Sequence, residues 1–261
     1  SINNDISQKI KSQYEENPYP RWRYSITFNE QKISTLQSIN YEIEPNHLSK
    51  DLGDRKLKVL VAGCGTGQQI LHTQIYKNAQ VTCIDISLSS LAYAQRKIDE
   101  LEISNVELIQ MDILEVYLLE EHFDIILCSG VLHHMDDPLK GLNSLLGILK
   151  KDGFLKLGLY SETARRNIIQ ARNYINGKQL HPNNENIRNF RETVFSKKLT
   201  SLNSLVQSPD FYTISSCRDL CFHEKEHGFT IQQLKETLKS NDLKFLGFLL
   251  RKQVKSLYKK S

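Results

Sequence analysis

From residue 57 onward, short apolar and β-branched runs alternate with stretches of helical periodicity. The runs 58–62, 80–84, 106–110, 123–128 and 154–159 read as strands, and 68–77, 88–101 and 138–149 as helices. Alternation at this spacing predicts βαβ units and an α/β, doubly wound, mostly parallel sheet covered on both faces. The first 50 residues are polar and interrupted by Pro18, Pro20 and Pro45. They read as helix, loop and a second helix leading to a linker near 52–54. From 161 to 210 the pattern is helical around the polar loop HPNNEN, and the strand–helix grammar resumes with a helix at 230–240 and a strand at 243–250. The expected organisation is an N-terminal helical lid segment (1–50), an α/β core (51–160), a helical cap insertion (161–210) and a C-terminal completion of the core (211–261).

Chemistry concentrates where strands end. The run KVLVAGCGTG (58–67) carries a buried strand into three glycines spaced G-x-G-x-G, which permits a tight turn and close approach of backbone to a ligand. A nicotinamide-binding turn reads G-x-G-x-x-G, so Gly67 falls one position early, and a phosphate-binding loop would need G-K-[ST]. Asp85 closes the next strand, 22 residues after Gly63, where a carboxylate can accept both hydroxyls of a ribose. Asp112 follows the third strand, placed to meet an adenine amino group, with Met111 and Ile113 offering apolar contact to the ring. The fourth strand ends in CSGVLHHMDDP (128–138).

With these features in order, residues 57–160 resemble the class I S-adenosylmethionine-dependent methyltransferases. The resemblance implies a seven-stranded Rossmann-like sheet, closed by an antiparallel hairpin of strands six and seven, that binds S-adenosylmethionine at the strand C-termini. It implies that Ala62, Gly63, Gly65 and Gly67 line the methionine part, that Asp85 and Ile86 meet the ribose, that Met111, Asp112 and Ile113 hold the adenine, and that Ser129 and Gly130 lie near the methyl group. Lys244–Leu250 is a fair sixth strand, whereas RKQVKSLYKKS is short and polar for a seventh.

Two flanking segments, YEENPYPRW (14–22) and CRDLCFHEKEHGFT (217–230), are similar to segments of bacterial methyltransferase domains often fused to tetratricopeptide repeats. In the first, Tyr14, Tyr19 and Trp22 either close over a pocket as acceptor contacts or dock the N-terminal helix on the sheet. Asn17-Pro18-Tyr19 lies before the fold and lacks a second proline, which counts against methylation of DNA adenine or amide nitrogen. In the second, Cys217, Cys221, His223 and His227 are all possible zinc ligands. Structural zinc sites separate their ligand pairs by a dozen or so residues, and here one residue intervenes, so no metal is expected. The cysteines are expected to pack, and His223, Glu226 and His227 to face the acceptor.

Methyl transfer to oxygen or nitrogen releases a proton, which makes histidine the natural base. His134 is the first candidate and His227 the second, with His133, His223 and Arg218 as acceptor contacts. Arg165, Arg166 and Arg172 could likewise hold a carboxylate or phosphate, and Asp136 and Asp137 read as helix caps. The expected activity is S-adenosylmethionine-dependent methylation of an oxygen or nitrogen of a small metabolite or of a peptide or protein side chain. The alternatives are a nicotinamide-dependent oxidoreductase, disfavoured by Gly67, and a non-catalytic partner-binding module, disfavoured by the intact Gly63, Gly65, Gly67, Asp85 and Asp112.

Charge adds one expectation. The net charge is only +4, but residues 1–150 carry a balance of −6 and residues 151–261 a balance of +10. The basic excess falls on the parts expected to meet the acceptor, which suggests an acidic acceptor or carrier. The basic tail 252–260 has one aromatic, Tyr258, and no RNA-binding module is evident, so nucleic acid is not expected. No run approaches the roughly 20 apolar residues of a membrane span, no secretory signal is visible, and five scattered cysteines suit a reduced, cytoplasmic protein.

Overall fold

A computed structural model of the chain describes residues 5–24, 32–49, 55–250 and 254. Five strands, β1 (Leu57–Ala62), β2 (Ala79–Asp85), β3 (Val106–Gln110), β4 (Phe123–Ser129) and β5 (Leu149–Gly158), form one sheet in the order β3-β2-β1-β4-β5. All neighbouring pairs are parallel. The first strands run in the order 3-2-1 and the chain then crosses to β4, so the strand order reverses beside β1. The crevice at its C-terminal end is where an open α/β sheet binds ligands.

Alternation along the strands builds two apolar layers. Val59, Val61, Val81, Cys83, Ile125 and Leu127 face one side, against Leu91, Ala94 and Ile98 of α4 (Leu88–Glu100). Leu60, Ala62, Ile84, Ile126 and Cys128 face the other, against Leu142 and Leu145 of α5 (Pro138–Gly147). Buried on both faces, β1 and β4 are the near-continuous apolar runs that mark central parallel strands.

At the opposite end of the sheet the Asp124 side chain is fully buried. It accepts from the Lys58 backbone N–H at 2.9 Å and pairs with Lys150 at 2.9 Å and with Arg55. Burial opposes its charge, but these partners outweigh burial and hold the carboxyl below the ordinary aspartate range. Because the folded-state pKa lies below the unfolded one, this stabilisation is present above the unfolded pKa and is lost as pH falls through the folded one. Asp124→Asn should cost about 1–3 kcal/mol near neutral pH. The gap from wild type, followed by denaturant titration against pH, should close in acid, and a pH-independent gap would contradict the assignment.

Helices α1 (Asp5–Glu16) and α2 (Thr35–Ile43) precede the sheet. A capping box of Ser34 and Gln37 starts α2. The linker expected near 52–54 lies outside the described residues. After β5 come α6 (Arg166–Gly177), α7 (Asn184–Phe195), two 3-10 segments and α8 (Ile214–Cys221). One apolar cluster runs from Ile168 through Phe190, Leu205 and Phe211 to Cys217, Cys221 and Phe222. The helical layer therefore continues through α8, past the boundary expected at 210. A final helix, α9 (Ile231–Ser240), follows.

Two expectations need correction. The helix expected over 68–77 shrinks to α3 (Ile70–Thr73), because Ile75 and Lys77 hydrogen-bond to Ile33 and draw the chain out before β2. The sheet has five strands among the described residues, not seven. Residues 243–250 form no strand: the Leu246 carbonyl accepts from Asn46 Nδ2 at 2.7 Å, and Gly247 lies against Ile43 of α2. A run interrupted by glycine, without a hairpin partner among the described residues, lacks the ladder that would hold it extended. Apart from Val254, the seventh-strand candidate and the basic tail lie outside the described residues.

Candidate active site

The turn after β1 is shaped by its glycines. Gly63, Gly65 and Gly67 all have positive φ, at 73°, 53° and 89°. A Cβ on Gly63 would meet the Val131 side chain at 2.2 Å, and one on Gly65 the Tyr19 carbonyl oxygen at 2.8 Å. Asp85 then locks the turn from β2: its Oδ2 accepts from the Gly65 N–H at 2.7 Å and its Oδ1 from the Ser87 N–H at 2.9 Å. Burial raises its pKa, and these backbone donors oppose the shift. Asp112, after β3, caps the next 3-10 turn through Leu114 N–H at 2.9 Å.

A cavity of about 210 Å³ opens along these strand ends. One end is lined by Gly63, Gly65, Asp85 and Ile86, together with Met111, Asp112 and Ile113. The wall is Ser129, Gly130 and Val131, and the far end holds His134, Tyr160, Asp219, Tyr14 and Tyr19. Ala62 and Gly67 are corrected out of this lining. Ala62 packs in the apolar layer beneath the turn, and Gly67 gives close approach to Ala94 of α4.

The N-terminal segment is fastened over the cavity. The Glu15 carboxylate accepts from the Leu88 and Ser89 N–H groups at 2.8 and 2.9 Å, which places an acid at the N-terminus of α4. Trp22 Nε1 donates to the Thr66 carbonyl at 3.1 Å, Thr66 Oγ1 donates to the Pro20 carbonyl, and the Tyr93 hydroxyl donates to the Trp22 carbonyl. Trp22 is thus a dock on the glycine turn and not an acceptor contact, whereas Tyr14 and Tyr19 do line the cavity.

The far end is a set of stacked rings. His134 and His223 stack at 3.5 Å, and His133 stacks on Tyr160 at 3.7 Å. The Nδ1 atoms of His134 and His223 share the Lys225 carbonyl, at 2.8 and 3.0 Å. The Tyr14 hydroxyl donates to Asp219 Oδ1 at 2.7 Å and lies 3.2 Å from His223 Nε2. Burial pushes His134 down to about 4, aided by the Arg165 and Arg172 charges, although its bond to Lys225 opposes the shift. Burial likewise pushes His133 down to about 2 and His223 well below its usual range, so all three imidazoles are neutral at pH 7. Burial raises Asp219 to about 7.

Several expected acceptor contacts are engaged elsewhere. His227 Nε2 bonds the Met135 carbonyl at 3.0 Å and its N–H donates to the His133 carbonyl, so it braces the turn after β4 outside the cavity and is corrected out of the base role. His133 is fully buried behind Tyr160 and does not line the cavity. Arg218 pairs with Glu16 of α1 at 2.6 Å, and Arg165 makes a two-point pair with Glu226 beneath Tyr160. Asp137 caps α5, whereas Asp136 pairs with Lys225. Asp219 and Tyr160 were missed by sequence reading. Tyr160 lies just beyond β5, and the rule that ligands gather at strand C-termini could have found it.

A family model described as a methyltransferase domain matches residues 60–157. The chain carries a class I S-adenosylmethionine-dependent methyltransferase domain. An uncharacterized protein of Synechococcus sp. is 30% identical over 201 residues, covering 73% of this chain and 48% of that protein. A ubiquinone biosynthesis O-methyltransferase of Glaesserella parasuis is 32% identical, covering 41% of this chain and 47% of that enzyme. The structure of PKMT2 from Rickettsia typhi in complex with AdoHcy superposes with a TM-score of 0.66 at 20% identity, over 93% of this chain and 50% of that one, a likeness of fold. The chain thus spans about half the length of these relatives.

The cofactor of this methyltransferase domain is S-adenosylmethionine. The cavity fits that cofactor. Gly63 and Gly65 line it beside Asp85, whose two oxygens hold the Gly65 and Ser87 N–H groups. Met111, Asp112 and Ile113 line the same end. Among the described residues no helix is long and apolar enough to cross a membrane.

Proposed function

We propose that the chain is an S-adenosylmethionine-dependent methyltransferase acting on an oxygen or nitrogen of a small metabolite or of a peptide or protein side chain. The reading is carried by one continuous cavity that joins the Asp85–Asp112 end, past Ser129 and Gly130, to the His134–Tyr160–Asp219 end. The cofactor supplies an activated methyl on a sulfonium. Gly63, Gly65, Asp85 and Asp112 would hold and orient it. Tyr14 and Tyr19 cover the site and exclude water, and Tyr160 and His134 position the acceptor at near-attack distance.

The same reading revises the expected acidic acceptor. Arg165, Arg218 and Lys225 pair with Glu226, Glu16 and Asp136, so much of the basic excess is spent inside the fold. The described lining carries Asp85, Asp112, Asp136, Asp137 and Asp219 against Lys140. An anionic acceptor would need an accompanying cation at the reacting end. Five free, buried cysteines suit the reducing cytoplasmic setting proposed for the enzyme.

Labelled S-adenosylmethionine, incubated with metabolite and peptide pools and resolved by mass, tests the activity. Transfer to one acceptor class is expected, and cofactor binding without transfer to any would favour the non-catalytic alternative. His134→Ala should lower turnover by about 100-fold or more and leave cofactor affinity by calorimetry unchanged. Full turnover would remove His134 from the site.

A further inference from the structure

We propose, on the methyltransferase reading, that Asp219 is the general base of the reaction and takes the proton that the acceptor oxygen or nitrogen releases. Asp219 lies on α8, and its buried side chain lines the acceptor end of the cavity. One carboxylate oxygen lies within 4.8 Å of a ring nitrogen of His134, so an acceptor atom positioned by His134 is within reach of Asp219. The other carboxylates of the lining are engaged. Asp85 holds two backbone N–H groups, Asp112 and Asp137 cap helical turns, and Asp136 pairs with Lys225. Among the described residues the Asp219 carboxylate hydrogen-bonds to the Tyr14 hydroxyl alone, through Oδ1. The acceptor O–H or N–H gives its proton to Asp219, and the acceptor atom keeps the electron pair, which forms the bond to the methyl carbon. The pair of the breaking carbon–sulfur bond stays on sulfur.

A base must be stable with and without its proton, and the groups around Asp219 serve both states. When Asp219 is ionised, the Tyr14 hydroxyl donates to Oδ1 at 2.7 Å. When Asp219 is protonated, that hydroxyl can turn its proton to His223 Nε2 at 3.2 Å. The His223 ring accommodates the change, because its Nδ1 lies 3.0 Å from the Lys225 carbonyl oxygen and 3.4 Å from the Lys225 backbone nitrogen. With its proton on Nδ1 the ring donates to the carbonyl, and Nε2 accepts from Tyr14. With its proton on Nε2 it donates to the Tyr14 oxygen, and Nδ1 accepts from the Lys225 N–H. Burial raises the Asp219 carboxyl and the Tyr14 hydrogen bond opposes the shift. Asp210 and Glu226 raise it further and the Arg165 charge lowers it, which leaves it at about 7, where a general base works well at neutral pH. Tyr19 and Tyr160 also face it, and burial keeps both phenols protonated. Burial holds the His134 ring down at about 4 and His223 well below its usual range, so both imidazoles are neutral neighbours and the weaker bases.

The test uses the full chain with isotopically labelled aspartate carboxyls, followed by carbon NMR against pH. The expected result is one carboxyl titrating near pH 7 that is missing from Asp219→Asn. Transfer of labelled methyl from S-adenosylmethionine to the metabolite and peptide pools should be about tenfold slower at about pH 6 than at about pH 8, because the ionised carboxylate is the active form. Asp219→Asn, checked for folding by circular dichroism, should slow transfer by about 100-fold or more and lose the step near pH 7. Its S-adenosylmethionine affinity by calorimetry should match wild type. Tyr14→Phe removes the donor that favours the ionised form, so the carboxyl midpoint and the rate step should both move up by about one unit. An Asp219 carboxyl titrating in the ordinary aspartate range, or a midpoint unmoved in Tyr14→Phe, would overturn the proposal. Should Asp219→Asn misfold, Tyr14→Phe decides. Wild type that transfers to neither pool overturns the methyltransferase reading as well, whereas folded Asp219→Asn transferring at the wild-type rate overturns the base assignment alone.

Discussion

Arg165→Ala should destabilise the fold by about 3–5 kcal/mol, the range for removing one member of a buried ion pair. The Arg165 guanidinium gives Nε and Nη2 to the two Glu226 oxygens at 2.8 and 2.7 Å and stacks on Tyr160 at 3.6 Å. The side chains are 14% and 6% exposed, so little solvent screens the pair. Truncation strands the buried Glu226 carboxylate without its cation and frees the start of α6 from the segment after α8. The cost therefore lies in the uncompensated charge more than in the lost attraction. Arg165→Met combined with Glu226→Leu should recover much of the loss. Denaturant midpoints of the three proteins check this, and a single-variant loss below about 1 kcal/mol would place the pair among solvated surface bridges.

Asp85→Ala should weaken S-adenosylmethionine binding by about 10- to 150-fold, corresponding to about 1.5–3 kcal/mol for hydrogen bonds to a charged acceptor. The carboxylate does two things at once. It holds the Gly65 and Ser87 N–H groups, which shapes the glycine turn, and it is the group proposed to meet the ribose. Asp85→Asn keeps one oxygen acceptor and should lose less. Calorimetry with circular dichroism as a folding control separates the two roles. Unchanged affinity in Asp85→Ala would refute the ribose assignment, and an equal loss in both variants would assign the effect to charge.

The legible parts of this protein are the local ones. The β1 run into Gly63, Gly65 and Gly67, and the aspartates closing β2 and following β3, each depend on residues a few positions apart. Period and turn chemistry suffice to place them. Where the reading failed, the deciding contact was remote. The strand expected at 243–250 had the right composition, but its fate depends on Asn46 and Ile43, some 200 positions earlier. Trp22 looked like an acceptor contact because it is aromatic and follows prolines, and only Thr66 and Tyr93 make it a dock. Arg218 looked available until Glu16 of α1 met it.

The acceptor end shows the division most clearly. The sequence by itself determined a parallel α/β core, its glycine turn and the aspartates at the ends of β2 and β3, because these follow from hydrophobic period and backbone freedom over short spans. Only the tertiary structure decided that Tyr14 would meet Asp219 across a separation of 205 residues, and that His134 and His223 would share one carbonyl. It also set the protonation of these groups. A histidine pKa near 4 or an aspartate pKa near 7 is a property of burial and neighbours, and both are assembled only when α1, the turn after β4 and α8 close on one another.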